Sequence, residues 1–182
     1  MKRNTLLIIL LLAVVGAVAV NADDTAATGT NAGFEANDIT VQTGQTFYLT
    51  VVVNDVDDLY AGQCDLEYST DYLELVDAVE GPFLSSDGAQ TYYVAPAMAP
   101  EETQWAALTR LAQDEGVAGS GDVVTLFFRA LAETSSTSVR LRNVQMLDRN
   151  ARDIDRNLLN GGRCIVTIED DATVLTQPTI EP

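Results

Sequence analysis

The sequence predicts an all-β chain, an antiparallel β-sandwich or jelly roll of nine strands, and three observations carry that expectation. Short segments with apolar and polar residues in alternation recur along the chain, and Gly, Pro, Asn or Asp residues punctuate them. A helical apolar period is almost absent, and no rhythm of alternating helix and strand marks a parallel sheet. A run of glycines and small residues, 116–121, leads straight into an apolar segment whose Val124, Leu126 and Phe128 share one face. That run reads as a turn, and so abrupt a start suits a central strand of a sandwich.

At the N-terminus, Lys2 and Arg3 precede an unbroken apolar run from Leu6 to Val20, and Val20-Asn21-Ala22 offers small residues for cleavage, with Ala17-Val18-Ala19 as the alternative. Residues 1–22 therefore read as a secretory signal, and the chain as a secreted one. The run, about fifteen residues, is shorter than the roughly twenty of a membrane span. The alternative is an uncleaved anchor that holds the chain at the outer face of a membrane. No Cys directly follows the run, so it is not a lipoprotein signal. Residues 23–36, small and polar, read as a flexible linker.

The nine expected strands follow. Ile39 and Val41 make a short first strand, stopped at Thr43-Gly44. Phe47, Leu49, Val51 and Val53 alternate along the second, and residues 54–58, Asn-Asp-Val-Asp-Asp, read as a turn. Cys64, Leu66 and Tyr68 alternate with Gln63, Asp65 and Glu67 in a half-buried third strand. Residues 73–79 are the fourth and 91–94 the fifth, while Pro96 and Pro100 keep 95–102 irregular. The sixth, 103–111, carries Trp105, and its Ala and Leu content also admits a helix. The seventh is the segment after 116–121. In the eighth, 137–147, Val139 and Leu141 are out of phase with Val144 and Met146, which predicts a bulge near Asn143. Asn160-Gly161-Gly162 is a hairpin-type turn before the ninth strand, 163–169. Residues 170–182 form an acidic Thr/Pro tail that reads as disordered.

Charge and composition exclude several functions. With 27 acidic and 10 basic residues the formal charge is −17, so nucleic acid is no partner on electrostatic grounds. Residues 23–109 hold 16 carboxylates and no basic group, while six arginines crowd between Arg140 and Arg163. There is no histidine, so a Ser-His-Asp arrangement is impossible, and the single lysine, Lys2, lies in the signal. Carboxylate pairs for glycoside hydrolysis mean nothing among 27 carboxylates. Asp148-x-Asn150-x-x-Asp153 and Asp55-x-Asp57-Asp58 could offer oxygens to calcium, but neither has the glycine and distal glutamate of an EF-hand loop. Both read as acidic turns, so no cofactor is expected and calcium has no specific motif behind it. Trp105, Tyr92 and Tyr93 could stack on sugar rings; for Trp105 the reading preferred is core packing.

The order of the elements resembles bacterial cohesin modules of the cellulosome type. Ile39-x-Val41-x-x-Gly44, Val51-x-Val53, Leu59-x-x-Gly62-x-x-x-Leu66-x-Tyr68 and Leu73-Glu74-Leu75 carry the first half of the likeness. Gly116-x-x-Gly119-x-Gly121, Phe128-x-Ala130, Leu141-x-Asn143-Val144 and Gly161-Gly162-x-x-Ile165 continue it in order, over residues 37–169. Two departures stand out. Ser69-Thr70 occupies the place of a usual Asp-Pro, and the fifth strand has no clear counterpart.

The resemblance implies a nine-stranded jelly roll, a monomer without catalytic activity, that binds a dockerin, a small calcium-binding module of a partner protein. Direct polysaccharide binding, as in related sandwich modules, and a purely structural surface role are the alternatives. It also implies that strands eight, three, six and five form the receiving sheet. The candidate partner-binding residues are then Gln63, Asp65 and Glu67 on strand three, Arg140 and Arg142 on strand eight, and Tyr92 on strand five. The acidic outward positions of strand three and the basic ones of strand eight are then expected to lie side by side. Cys64 and Cys164 both read as inward, and in an exported chain a disulfide is chemically permitted. In the implied topology they sit on opposite sheets about 10 Å apart, too far for a bridge that needs Cα atoms within about 7 Å, so two buried thiols are preferred.

Overall fold

The computed structural model describes residues 31–98, 103–112, 115–154 and 162–170. The expected signal, most of the linker, the tail from 171 and the Asn160-Gly161 part of the expected turn lie outside the described residues. The strands are β1 (Asn31–Phe34), β2 (Asp38–Gln42), β3 (Thr46–Leu59), β4 (Ala61–Glu67), β5 (Leu73–Glu80), β6 (Thr91–Val94), β7 (Thr103–Arg110), β8 (Val117–Ala130), β9 (Thr134–Leu147) and β10 (Arg163–Glu169). One short 3-10 turn, Phe83–Ser85, follows β5. The sheets have the orders β1-β3-β8-β5 and β2-β10-β9-β4-β7-β6. They close on each other as a sandwich, as the sequence predicts.

The described residues hold ten strands rather than nine, and one pair, β2 with β10, is parallel. The added strand, β1, falls in the segment read as linker. It pairs with β3 from Ala32↔Val53 to Phe34↔Val51, and Phe34 is buried against the core. A four-residue edge strand needs only its backbone and one apolar anchor, so its small polar composition gave no strand signal.

The two segments read as turns, 54–58 and 116–121, are instead the far ends of one long ribbon. β3 and β8 pair from Thr46↔Arg129 to Leu59↔Val117, with register shifts along the way. Asp55 (φ 48°), Asp58 (φ 58°) and Gly119 (φ 112°) stand in the left-handed region within that ribbon. Residues suited to turns therefore serve as bulges that twist two 14-residue strands without ending them. At Gly121 a Cβ would lie 2.6 Å from the Phe83 ring, so the absence of a side chain lets the 3-10 turn pack onto β8.

The expected bulge in β9 is present. Gln63↔Gln145 and Asp65↔Arg142 are two residues apart on β4 but three on β9, and Asn143 has φ 48°. The segment 103–111 is strand and not helix. Ser69 replaces the usual turn chemistry with its carbonyl, which accepts from the N–H groups of Tyr72 (3.3 Å) and Leu73 (2.9 Å).

The core lies between the sheets. Phe128, fully buried, stacks on Phe47 at 5.8 Å between ring centres and takes Tyr68 edge-on at 5.2 Å. The six-stranded sheet contributes Leu66, Leu108, Val139, Leu141, Val166 and Ile168. Burying one such side chain contributes about 1.5–3 kcal/mol.

Cys64 and Cys164 belong to the same sheet, contrary to the expected opposite ones, and β9 runs between them. Two strand spacings are about 9–10 Å. The residues are also offset along β9, since Cys164 faces Val139 while Cys64 sits opposite the bulge. Both are free thiols. Burial, aided by Asp65 for Cys64 and by Asp38 for Cys164, pushes each thiol up to about 12, so neither is a nucleophile at neutral pH.

Candidate functional site

Strands β9, β4, β7 and β6 are consecutive in the six-stranded sheet, so the expected receiving face is one continuous surface. Period-two geometry aims its side chains. Leu66 on β4 and Val139 and Leu141 on β9 go into the core, which turns Gln63, Asp65, Glu67, Arg140 and Arg142 outward. The bulge then brings Asn143 and Gln145 to the same face. On β7, Ala106 and Leu108 are buried, so Trp105, Ala107 and Thr109 face out. Tyr92 on the edge strand β6 is 61% exposed.

The polar groups on this face hold one another. Gln63 Nε2 donates to Gln145 Oε1 at 2.7 Å. Asn143 Nδ2 donates to Asp65 Oδ2 at 2.6 Å, and Arg142 Nε donates to Glu67 Oε2 at 3.2 Å. The acidic and basic strands do lie side by side, with Asp65 opposite Arg142 in register, but these two are not the ion pair. The bulge swings the Asn143 amide onto Asp65, and Arg142 reaches diagonally to Glu67. Arg140, in register with Glu67, donates instead to Ser138 Oγ at 3.3 Å on its own strand. Exposed pairs of this kind contribute a few tenths to about 1 kcal/mol each; what they secure is orientation.

Trp105 is the residue the sequence reading misplaced. It is 48% exposed on the outer face, directly opposite Asp65, and does not pack in the core. Its antiphase relation to Ala106 and Leu108 was the available signal. The converse applies to Arg110, in phase with them. Its side chain is 1% exposed and bonds Asp87 through both amino nitrogens, at 3.1 and 2.6 Å, and the Leu84 carbonyl. Its Nε is buried without a partner.

Each of the two candidate calcium segments uses one carboxylate internally. Asp148 Oδ1 accepts from the N–H groups of Asn150 (2.7 Å) and Arg152 (2.9 Å), and the Arg152 N–H leads in holding its carboxyl below the usual range. Asp58 Oδ1 accepts from the Gly116 N–H at 2.7 Å, with Arg149 3.9 Å from its other oxygen. Among the described residues no cluster of three potential metal ligands forms.

A β-sandwich whose larger sheet presents amide, carboxylate, guanidinium and aromatic groups on its outer face has the make-up of a binding module. Residues 33–165 match the cohesin domain model, and the chain belongs to the cohesin domain family. None of the curated proteins matches it in sequence. Among solved structures it is similar to the sixth cohesin of scaffoldin B from Acetivibrio cellulolyticus, solved in complex with a mutant Cel5 dockerin. There the identity is 13%, the coverage 78% of this chain and 100% of that one, and the TM-score 0.61. The cohesin module of a family 33 glycoside hydrolase from Clostridium perfringens gives 15% identity, coverage of 78% and 98%, and TM-score 0.60. A non-cellulosomal cohesin from the archaeon Archaeoglobus fulgidus gives 15%, 77% and 89%, and 0.57. At these identities the likeness is one of fold.

Proposed function

We propose that this chain is a secreted, non-catalytic docking module whose β9-β4-β7-β6 face receives a dockerin-bearing protein. The observation that carries the reading is Trp105, a large aromatic side chain half exposed amid fixed polar groups on a rigid sheet. Exposed tryptophan at the centre of a polar rim is the usual anchor of a protein interface. Strands hold such groups more precisely than loops do, which lowers the cost of ordering them on binding. Gln63, Asp65 and Glu67 on the neighbouring strand, Arg142 one strand beyond them and Tyr92 farther along the face supply the orienting polar and aromatic groups. Export through residues 1–22 suits assembly outside the cell, and the Acetivibrio cohesin supports the reading as a relative seen with a dockerin bound.

The test is calorimetric titration of the chain with a panel of calcium-loaded dockerin modules. The expected result is one-to-one binding by at least one of them, weakened tenfold or more in Trp105→Ala with its melting temperature retained. A full panel without binding, or unchanged affinity in Trp105→Ala, overturns the reading. Retardation of the wild type but not Trp105→Ala by soluble glucan in native gels, without any dockerin binding, assigns the same face to carbohydrate instead.

A further inference from the structure

Arg140 on β9 and Arg163 on β10 stand directly opposite each other on the outer face of the six-stranded sheet. Like charges in that position repel and destabilise the pair of strands. Neither has a carboxylate partner among the described residues, whose ion pairs use Arg110, Arg129, Arg142 and Arg149. Glu67, in register with Arg140, gives its carboxylate to Arg142, and Asp38 on β2 lies beyond ion-pair distance of Arg163. The two arginines line a polar cleft together with Glu67, Ser69, Ser136 and Ser138. In a chain of formal charge −17 carboxylates are plentiful, yet among the described residues neither guanidinium has an ion-pair partner, since Glu67, the one carboxylate lining the cleft, is paired with Arg142.

We propose that the Arg140–Arg163 cleft is a carboxylate-binding subsite that receives an acidic side chain of the docked partner. The planar guanidinium fork matches a carboxylate with two parallel bonds, and the Ser136 and Ser138 hydroxyls add donors within the same cleft. The wider acidic surface repels an extended polyanion, so the cleft selects a single carboxylate in a small local positive field. It spans β10 and β9; β4 with Asp65 is the next strand and β7 with Trp105 the one after, so about three strand spacings, roughly 15 Å, separate Arg163 from the Trp105 strand, within one partner's footprint. The proposal rests on the docking reading for its occupant but not for its chemistry.

Two measurements separate them. In the first, the Nε–H signals of the 15N-labelled chain are followed while sodium acetate replaces sodium chloride at constant ionic strength. Saturable shifts are expected at Arg140 and Arg163 and absent at the paired Arg129 and Arg142; in Arg140→Gln or Arg163→Gln alone the shift at the remaining arginine is weakened, and the double variant Arg140→Gln/Arg163→Gln carries neither group. Uniform, linear movement of all arginine signals overturns the subsite. In the second, the double variant is titrated with a dockerin that the wild type binds. Affinity is expected to fall about tenfold with a flatter salt dependence, while thermal stability is equal or higher because the repulsion is gone. Unchanged affinity, where Trp105→Ala still abolishes binding, overturns the partner carboxylate and leaves docking standing. Acetate shifts with no dockerin bound by the wild type overturn docking and with it the assigned occupant.

Discussion

Strand β7 shows Ala106, Leu108 and Arg110 to the core and Trp105, Ala107 and Thr109 to solvent. The two faces thus exchange the residues that hydropathy alone would assign them. On the inner side a guanidinium is buried, and it is tolerated because Asp87 and the Leu84 carbonyl meet it. On the outer side the chain's one tryptophan stands in water, where nothing in the sandwich needs it. Strand phase decides direction, and residue type decides only the consequence. An inverted residue is then either fastened from within, as Arg110 is, or available to something outside, as Trp105 is.

Breaking the inner side has the largest effect. Arg110→Ala removes a buried side chain, leaves the Leu84 carbonyl without its partner and unties the loop that carries Asp87. Stability is expected to fall by about 3 kcal/mol, read from urea denaturation. If the loss is no larger than for an exposed arginine such as Arg129, which pairs with Glu74 at the surface, the contrast between the faces fails. Trp105→Ala, by comparison, costs docking and little stability.

A second change sharpens the inner side through pH. The Arg110 guanidinium bonded to Asp87, helped by the Ala89 N–H, holds that carboxyl below its ordinary value of 3.8. Folding therefore favours the ionised form, and the sign follows. The contribution is fully present above the ordinary value and is lost as pH falls through the lower folded value. Urea midpoints of the wild type should drop in that acid range more than those of Asp87→Asn. Parallel pH profiles of the two proteins would sever the link between Arg110 and Asp87.

The smallest effect lies on the outer face. A double-mutant cycle for Glu67 and Arg142 is expected to give a coupling of no more than about 0.5 kcal/mol, because both side chains are exposed and screened. The same cycle for Asp65 and Arg142, opposite in register but not bonded, should give less. A larger value for Asp65 with Arg142 would mean that the bulge does not divert Asp65 to Asn143 in solution.

Much of the fold was legible because alternation is local. The phases of Cys64-Leu66-Tyr68 and Val139-Leu141 settle which residues on β4 and β9 face out, and the phase break after Leu141 marks the bulge at Asn143. Trp105 was equally legible by phase and was misread because aromatic size was given more weight than position. Arg110 could have been found in the same way.

What the sequence by itself determined is the all-β class, the outward set on the candidate face and the want of histidine-based chemistry, since each follows from residue type and a period of two. The tertiary structure alone decided the rest. It joined residues 54–58 to 116–121 in one ribbon and added β1 at an edge. It put both cysteines in one sheet with β9 between them, and placed Arg163 opposite Arg140. These are matters of strand order and register between segments distant in sequence. No local pattern encodes them, because a backbone ladder pairs any two strands alike, and only the shared core and its bulges fix which neighbours meet and in what alignment.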